Sequence, residues 1–316
     1  MFEDKKVGLA LGSGSARGWA HIGIIRALRD MGIHVDVVAG SSIGALVGAV
    51  HCAGGLNRLE QVVLDLDWRG IFNMLDVGFP RSGLLDGRKV ARFVRSHVPH
   101  TRIEELPCSF CAVCTDIMAG EEVRIDSGDV IEAVRASIAV PGMFTPVKKG
   151  ERILVDGGLI NPIPVSVLQD MGAEVIIAVD LNYNLMRSRA LRRNSSPESE
   201  HLEVPVENKV ADNRLFAEWR DRLAATESTV LSQIRRWMVR DRLPSIFEVM
   251  FSSLDVVQRR VSDINLKDFP PDILIRPDLG HLKFMDFNRG NEAIAEGYAA
   301  AAREVESYRK RIEDKS

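Results

Sequence analysis

Short apolar runs alternate with amphipathic segments along the first 181 residues of the chain. The segments between the runs place apolar side chains at helical spacing, as Ile22, Ile25 and Leu28 do within residues 19–31. The runs themselves have the length of buried β-strands and cover residues 7–11, 35–40, 110–117, 153–158 and 174–181. Strands that alternate with helices predict an α/β fold of three α/β/α layers around a mainly parallel central sheet.

This pattern changes after Asn182. Residues 187–210 are polar and include four arginines, which is a composition typical of a mobile loop. Helical spacing returns further along the chain, within residues 212–262 and again within 284–312. We therefore predict an α/β core over 1–182, a polar mobile loop over 183–211, and a helical region with a C-terminal segment over 212–316 that packs on the core.

Composition narrows the class of protein. The 316 residues are 46% apolar, enough for a full hydrophobic core, and the net charge of −3 gives no support for nucleic-acid binding. The chain has no run of about 18 apolar residues that would predict a membrane span. The apolar run at 7–11 follows two lysines but is too short for a signal peptide. We expect a cytoplasmic protein that binds no nucleic acid.

Three of the four cysteines, Cys108, Cys111 and Cys114, have the spacing C-x-x-C-x-x-C. Such spacing occurs in metal and iron–sulfur sites. Here, however, the segment reads as a buried strand, and a spacing of three sends successive side chains to opposite faces. We therefore expect buried free cysteines in a reducing compartment, and neither a metal nor a cofactor.

Two glycines enclose a pair of serines between the second strand and the helix that follows it. In Gly40-Ser41-Ser42-Ile43-Gly44 the turn is too tight for large side chains, and a serine at its tip would project from the backbone. Ser42 is therefore a candidate nucleophile. Because a serine hydroxyl is a poor nucleophile without a base, the chain must supply one.

Asp156 is the stronger candidate for that base. It ends the apolar run ILVD and is followed by Gly157 and Gly158, which allow close approach of the backbone. The carboxyl end of a strand is where α/β sheets keep their sites. The order Ser42, Asp156, His281 also permits a Ser–Asp–His triad, but the α/β-hydrolases place several strands before the serine turn and this chain has one.

The loop after the first strand, Gly12-Ser13-Gly14-Ser15-Ala16-Arg17-Gly18, could bind an anion. A dinucleotide is one candidate, but the spacing is GxGxxxG, and Asp36 begins the second strand instead of ending it. The oxygen of a tetrahedral acyl-transfer intermediate is another candidate. The backbone N–H groups of Gly14 and Ser15 could bind it, and Arg17 could hold the loop or add positive potential.

Several motifs in this order resemble the patatin-like phospholipase family, and most closely its compact bacterial cytosolic members of the response-regulator-associated type. The motifs are LALGSGSARGWAHIG, GSSIGA, AVRASIAVPGMFTPV (133–147) and VDGGLINPIPV (155–165). The resemblance implies a patatin-like fold and hydrolysis of acyl esters in lipids by a Ser–Asp dyad without histidine. It implies Ser42 as nucleophile, Asp156 as base, and Gly14 and Ser15 as oxyanion donors near Arg17.

One departure from the family pattern lies in the oxyanion loop. The family loop has the form GGGxRG, whereas this chain has Ser13 and Ser15 in place of two glycines. A positive φ at Ser15 would be strained, since side chains disfavour it. The backbone N–H donors do not depend on the side chain, so we expect an intact oxyanion hole and an altered rate or substrate preference.

The family resemblance leads us to expect a serine hydrolase of phospholipids or lysophospholipids, of the phospholipase A or lysophospholipase type. A thioesterase that uses the same dyad and a patatin-like scaffold that binds a partner protein are the alternatives. The sequence leaves open whether the chain forms a homo-oligomer.

Residues 223–261 carry apolar side chains at helical spacing, among them Trp237, with Arg235 and Arg236 nearby. Two interpretations remain open. The apolar stripe either packs on the domain or in a dimer, or it forms a lid or an anchor that touches anionic membrane surfaces. The second interpretation would place the protein at the inner face of the membrane.

Overall fold

The computed structural model describes residues 2, 4–67, 70, 85–185 and 246–314. Residues 186–211 of the mobile loop predicted over 183–211, Trp237 and the neighbouring arginines lie outside the described residues. The chain divides into two units, one formed by Met1–Leu191 with Ser253–Ser316 and the other by Arg192–Ser252. Of the second unit the structure describes residues 246–252, the first turns of a helix.

Strands form mostly where the sequence has short apolar runs. In the described parts of the chain they are β1 (Val7–Leu11), β2 (Val37–Ser41), β3 (Ser109–Asp116), β4 (Glu121–Ile125), β5 (Val147–Lys149), β6 (Arg152–Asp156), β7 (Val175–Val179) and β8 (Ile273–Ile275). β1, β2 and β7 are buried at every position, as continuous apolar runs predict.

Helices form where the apolar side chains recur at helical spacing. Over the same residues they are α1 (Ala20–Asp30), α2 (Ile43–Cys52), α3 (Leu56–Leu64), α4 (Arg88–His97), α5 (Val130–Ser137), α6 (Val165–Asp170), α7 (Ile246–Asp268) and α8 (Gly290–Glu313). Short 3-10 turns cover Ser15–Trp19, Ile103–Glu105, Gly157–Leu159 and Phe287–Arg289. None of the helices in the described residues is both long and apolar enough to cross a membrane.

The strands form one mixed sheet in the order β5-β6-β3-β2-β1-β7-β8, with β4 also paired to β3. The central pairings β3-β2-β1-β7-β8 are parallel, whereas β4, β5 and β6 pair antiparallel. β3 and β4 form a hairpin around Ala119 and Gly120. The sheet is therefore parallel at its centre and antiparallel at the edge that carries Asp156.

Two hydrophobic clusters lie on opposite faces of this sheet, which gives the three layers that the sequence predicts. One joins Leu9 and Val38 to the inner faces of α1, α2, α5 and α8. The other joins Ala10 and Ala39 to α6. Cys114 belongs to the first cluster and Cys111 to the second, so the alternation of β3 separates these two thiols.

Candidate active site

Ser42 lies at the tip of a strand–helix turn, between the last residue of β2 and the first of α2. Its φ and ψ of 58° and −125° are unusual for a residue with a side chain. The turn is tight because Gly44 passes close to β1: a Cβ atom there would lie 2.1 Å from the carbonyl oxygen of Leu11. Gly40, on β2, faces the backbone of Gly44 and Ala45 in the same way.

Strand register brings Asp156 to Ser42. β2 runs parallel to β3 until Ser41 pairs with Val113, and β6 runs antiparallel to β3 until Asp156 pairs with Cys114. β4 takes the other edge of β3 over these same residues. β2 and β6 therefore end at neighbouring positions on one edge of β3, with their C-terminal ends facing each other. Ser42, which follows β2, and Asp156, which ends β6, meet there.

The two candidate catalytic side chains form a hydrogen bond, in which the Ser42 hydroxyl donates to Asp156 Oδ2. Asp156 Oδ1 accepts a second hydrogen bond, 2.8 Å long, from the backbone N–H of Gly158. Asp156 is only 1% exposed, and burial raises its carboxyl pKa from 3.8 to about 6, although the bonds from Ser42 and Gly158 act in the opposite direction. This carboxylate can accept a proton near neutral pH.

Two residues that the sequence analysis did not single out hold the pair in place. Ser137, at the end of α5, accepts a hydrogen bond from the backbone N–H of Ser42 at 2.9 Å and donates to the carbonyl of Val113 at 2.6 Å. Thr115 on β3 donates to the carbonyl of Asp156 at 2.8 Å. Ser137 lies inside the motif at 133–147, which was the one signal that could have pointed to it.

The predicted oxyanion loop is fixed at both ends. Ser13 N–H donates to the carbonyl of Pro162 at 2.9 Å, and Ala16 N–H donates to that of Phe284 at 3.2 Å. Between them, the N–H groups of Gly14 and Ser15 have no acceptor among the described residues. These two groups are therefore available to an oxygen atom that enters the site.

Ser15 does adopt the positive φ that the sequence analysis identified as strained, with a value of 50°. Its hydroxyl donates to the carbonyl of Phe284 at 2.7 Å. This hydrogen bond offsets part of the strain and ties the loop to the segment before α8. A glycine at this position could not form this hydrogen bond.

Arg17 fixes the oxyanion loop through two contacts with the C-terminal part of the chain. Its guanidinium is 1% exposed and pairs with Asp255 of α7, which is 3% exposed, at 3.1 Å. It also donates to the carbonyl of Leu282 at 3.4 Å. Of the two roles considered for Arg17, this geometry supports holding the loop.

A cavity of about 120 Å³ lies beside Ser42, Gly14 and Ser15. Most of its remaining wall is apolar, and includes Trp19, Leu46, Phe93, Ile138, Phe144 and Phe287. The lining also includes the polar side chain of Gln258. A polar end with a nucleophile and free N–H donors, followed by apolar walls, suits an acyl chain that carries a carbonyl group.

His281 and Asp36 form contacts away from Ser42. His281 is 44% exposed and lies 3.4 Å from Glu292, and within the described residues no histidine contacts Ser42 or Asp156. Asp36 accepts from the N–H of Val7 at 2.7 Å and so ties β2 to β1.

His21 contacts the glycine loop. It is buried, and its Nε2 lies 2.8 Å from the carbonyl of Gly12. Burial lowers the pKa of His21 to about 4, so its ring is neutral near pH 7 and Nε2 donates to Gly12. We assign it a role in holding the loop.

Similarity to known proteins covers both candidate catalytic residues. A family model described as patatin-like phospholipase matches residues 9–168, which include both Ser42 and Asp156. An uncharacterized NTE family protein of Mycobacterium tuberculosis is 34% identical over 331 residues, covering 96% of this chain and 92% of the relative. The neuropathy target esterase sws of Drosophila melanogaster is 33% identical over 183 residues, covering 55% of this chain and 13% of that protein.

Among solved structures, VipD from Legionella pneumophila resembles this chain with a TM-score of 0.42 and 13% identity. The match covers 96% of this chain and 67% of that one. The family assignment comes from the family model and from the sequence relatives.

Proposed function

Because the chain belongs to the patatin-like phospholipase family, we propose that it is a serine hydrolase of lipid acyl esters, of the phospholipase A or lysophospholipase type. The hydrogen bond from Ser42 to the buried carboxylate of Asp156, beside an apolar cavity, is the observation that carries this proposal. A nucleophile paired with its base supports acyl transfer, and an apolar cavity supports an acyl chain as the group that is transferred.

The geometry supports the following first half-reaction. Ser42 Oγ attacks the ester carbonyl carbon while its proton moves to Asp156 Oδ2. The carbonyl oxygen becomes negative and accepts hydrogen bonds from the N–H groups of Gly14 and Ser15. The intermediate collapses when the bond to the alcohol oxygen breaks, and Asp156 returns the proton to that oxygen, which leaves an acyl-Ser42 ester.

The second half-reaction repeats these steps with water. A water molecule gives a proton to Asp156 and attacks the acyl-Ser42 carbonyl, and the same two N–H groups stabilise the oxyanion. Collapse breaks the bond to Ser42 Oγ, which takes the proton back from Asp156. The free fatty acid is the product, and the dyad is restored.

The proposal also includes where the enzyme works. A phospholipid or lysophospholipid substrate lies in a membrane or a micelle, so the enzyme must reach a lipid surface. The described end of the 223–261 segment, on α7, exposes Val256 and Val257 beside Arg260. Apolar side chains next to a cation support transient contact with anionic lipid from the cytoplasmic side.

A fluorophosphonate probe tests the nucleophile. The probe phosphonylates activated serines, and mass mapping of the labelled peptide should place the adduct on Ser42. Ser42→Ala should abolish labelling, and Ser41→Ala, next to it on β2, should not remove the adduct from Ser42. An adduct on any other residue of the folded protein would overturn the proposal.

Hydrolysis tests the dyad and the substrate class. Ser42→Ala and Asp156→Asn should each lower kcat by on the order of 10³-fold or more on lysophosphatidylcholine, and the double variant by little more, because the two side chains act as a unit. His281→Ala should change little. Faster turnover of acyl thioesters than of oxygen esters would favour the thioesterase, and a biological role that survives Ser42→Ala would favour the scaffold.

A further inference from the structure

Three buried polar side chains outside the dyad meet behind the oxyanion loop. Gln258 of α7 accepts two hydrogen bonds at its Oε1 atom, from the hydroxyl of Ser13 at 3.0 Å and from Nδ2 of Asn182 at 3.1 Å. Ser13 is one of the two serines that replace glycines of the family loop. Its hydroxyl therefore has a defined partner in this chain.

The two donors fix the orientation of the Gln258 amide. Since both converge on Oε1, Nε2 is turned away from them, and it has no acceptor among the described residues. Gln258 is only 8% exposed, yet it lines the cavity beside Ser42. A Cβ atom at Gly158 would lie 2.6 Å from Nε2, so this donor sits against the loop that follows Asp156.

Pockets orient their ligands through a few polar groups in otherwise apolar walls, and an amide N–H without a protein acceptor can serve as one of them. An oxygen atom of a ligand in the cavity would satisfy it. The cavity supplies the other constraints, because its walls are apolar except at the end formed by Gly14, Ser15, Ser42 and Gln258. An apolar chain with an oxygen acceptor at one end would match both the Nε2 donor and the apolar walls.

We propose that Gln258 is a substrate-binding residue whose Nε2 donates a hydrogen bond to the carbonyl or carboxylate oxygen of an acyl chain. The inference rests on the proposed function for the identity of the acyl group, and it adds a side-chain donor to the backbone donors of Gly14 and Ser15. Ser13 and Asn182 are positioning residues, which act by holding Oε1 and thereby aiming Nε2.

Binding of decanoate, a soluble product-like fatty acid, tests the proposal without turnover. Isothermal calorimetry below the critical micelle concentration gives its dissociation constant for the wild-type protein and for two variants. Gln258→Leu removes the donor, and Gln258→Glu removes it while keeping an oxygen that accepts from Ser13 and Asn182. We expect binding at least about tenfold weaker with Leu, and weaker still with Glu, because its charge repels the carboxylate.

Gln61→Glu is the matched control, since Gln61 is exposed on α3 and does not line the cavity. It should leave the dissociation constant unchanged. Circular dichroism establishes that each variant is folded. If Leu disturbs the contacts with Ser13 and Asn182, the Glu variant still tests the proposal, because it keeps an oxygen that accepts from both. Equal affinity in wild type and in a folded Gln258 variant, or no decanoate binding by the wild type, would overturn the inference.

The two proposals can fail separately. If decanoate binds and depends on Gln258, but Ser42 is not labelled and no ester is hydrolysed, the proposed function fails while the acyl-binding role of Gln258 stands. If Ser42 is labelled and esters are hydrolysed, but decanoate binding ignores Gln258, the hydrolase stands and the inference fails.

Discussion

At the scale of single residues, the proposed chemistry depends on a carboxylate that is buried away from water. Burial raises the pKa of Asp156 to about 6, and the Ser42 hydroxyl and Gly158 N–H keep it from rising further. A base with this pKa is largely ionised at pH 7 and still basic enough to take a proton as the nucleophile attacks. A solvated aspartate, with a pKa near 4, would be a weaker base.

The pH dependence of hydrolysis should report this carboxyl group. Because Asp156 must be ionised to accept a proton, kcat/KM should fall about tenfold per pH unit below its pKa, and level off above it. Stopped assays with a p-nitrophenyl ester between pH 4.5 and 8 measure the profile, with circular dichroism as the control for folding. A constant kcat/KM down to pH 4.5 would contradict Asp156 as the base.

Stability should depend on pH in the opposite sense. The folded-state pKa of Asp156 is raised above its unfolded value of 3.8, so the folded protein binds the proton more tightly. Stability from this group is therefore present at low pH and is lost as pH rises from about 4 to about 6. The shift corresponds to about 3 kcal/mol, which is the cost of keeping the ionised group buried.

Asp156→Asn should accordingly stabilise the fold at neutral pH while it abolishes activity. We expect a gain of about 1–3 kcal/mol in the free energy of unfolding at pH 8, which becomes smaller at pH 4.5 because the wild-type carboxyl is then neutral. Urea unfolding at the two pH values measures it. Asp126→Asn, at an exposed position, should show no such difference, and a loss of stability in Asp156→Asn at pH 8 would contradict the prediction.

At the scale of elements, the sequence identifies what is local. The glycines around Ser42 predict the turn because their constraint lies within five residues, and the apolar runs predict β1, β2, β3 and β7 but not β8. Ser137, Thr115 and Gln258 could not be found this way. Ser137 and Ser42 are 95 residues apart in sequence, and they meet because Ser137 donates to the carbonyl of Val113, the β3 residue that pairs with Ser41.

The same reason explains what was missed about α7 and Arg17. The pattern over 223–261 predicts a helix, and α7 begins inside it at Ile246. It does not show that Asp255 would pair with Arg17, since an aspartate on a helix more often faces water. For Arg17 the sequence left two roles open, and the position of α7 decided between them. Long-range ion pairs leave no local pattern.

Two helices pack backbone to backbone through a pair of glycines. A Cβ atom at Gly23 of α1 would lie 1.9 Å from the carbonyl oxygen of Ile294, and one at Gly297 of α8 would lie 2.2 Å from that of Ala20. Gly297→Ala should therefore lower the free energy of unfolding. Overpacking costs about 1–3 kcal/mol, and the gain of about 1 kcal/mol in helix propensity offsets part of it.

We expect a net loss of about 2 kcal/mol, at the upper end because backbone atoms cannot rotate away. Chemical denaturation of the wild type and the variant measures it. Ala295→Ser is the control, because it adds an atom at an exposed position of the same helix and should change stability by less than about 0.5 kcal/mol. An unchanged or raised stability of Gly297→Ala would show that the two helices can separate without cost.

At the scale of the whole molecule, the site is assembled from both ends of one unit. The N-terminal half supplies Ser42 and Asp156, and the C-terminal segment supplies Asp255, Gln258 and the carbonyl of Phe284, all of which hold or line the oxyanion loop. A family model that stops at residue 168 therefore leaves out part of the cavity wall. The predicted boundaries at 182 and 211 remain predictions, but activity should require the C-terminal segment.

Contact with a lipid surface is the remaining requirement on the whole molecule. α7 exposes Val256 and Val257 on the described part of the 223–261 segment, with Arg260 beside them and Ile264 just beyond the segment, while Trp237 lies outside the described residues. We predict reversible binding to anionic liposomes at low salt. It should weaken at physiological salt, where the Debye length is about 8 Å, because the attraction to anionic headgroups is then screened.

Flotation with vesicles that contain phosphatidylserine measures this binding. Val256→Glu with Val257→Glu should weaken it by placing charge on the apolar surface, and Trp237→Ala with Arg235→Glu and Arg236→Glu should weaken it by removing an interfacial aromatic ring and reversing the charge beside it. Ile312→Glu is the matched control, since Ile312 is an exposed apolar residue on α8. If the wild type does not float at low salt, or if the substitutions on the 223–261 segment weaken binding no more than Ile312→Glu does, then this stripe packs against protein, and the lipid must reach Ser42 from another surface.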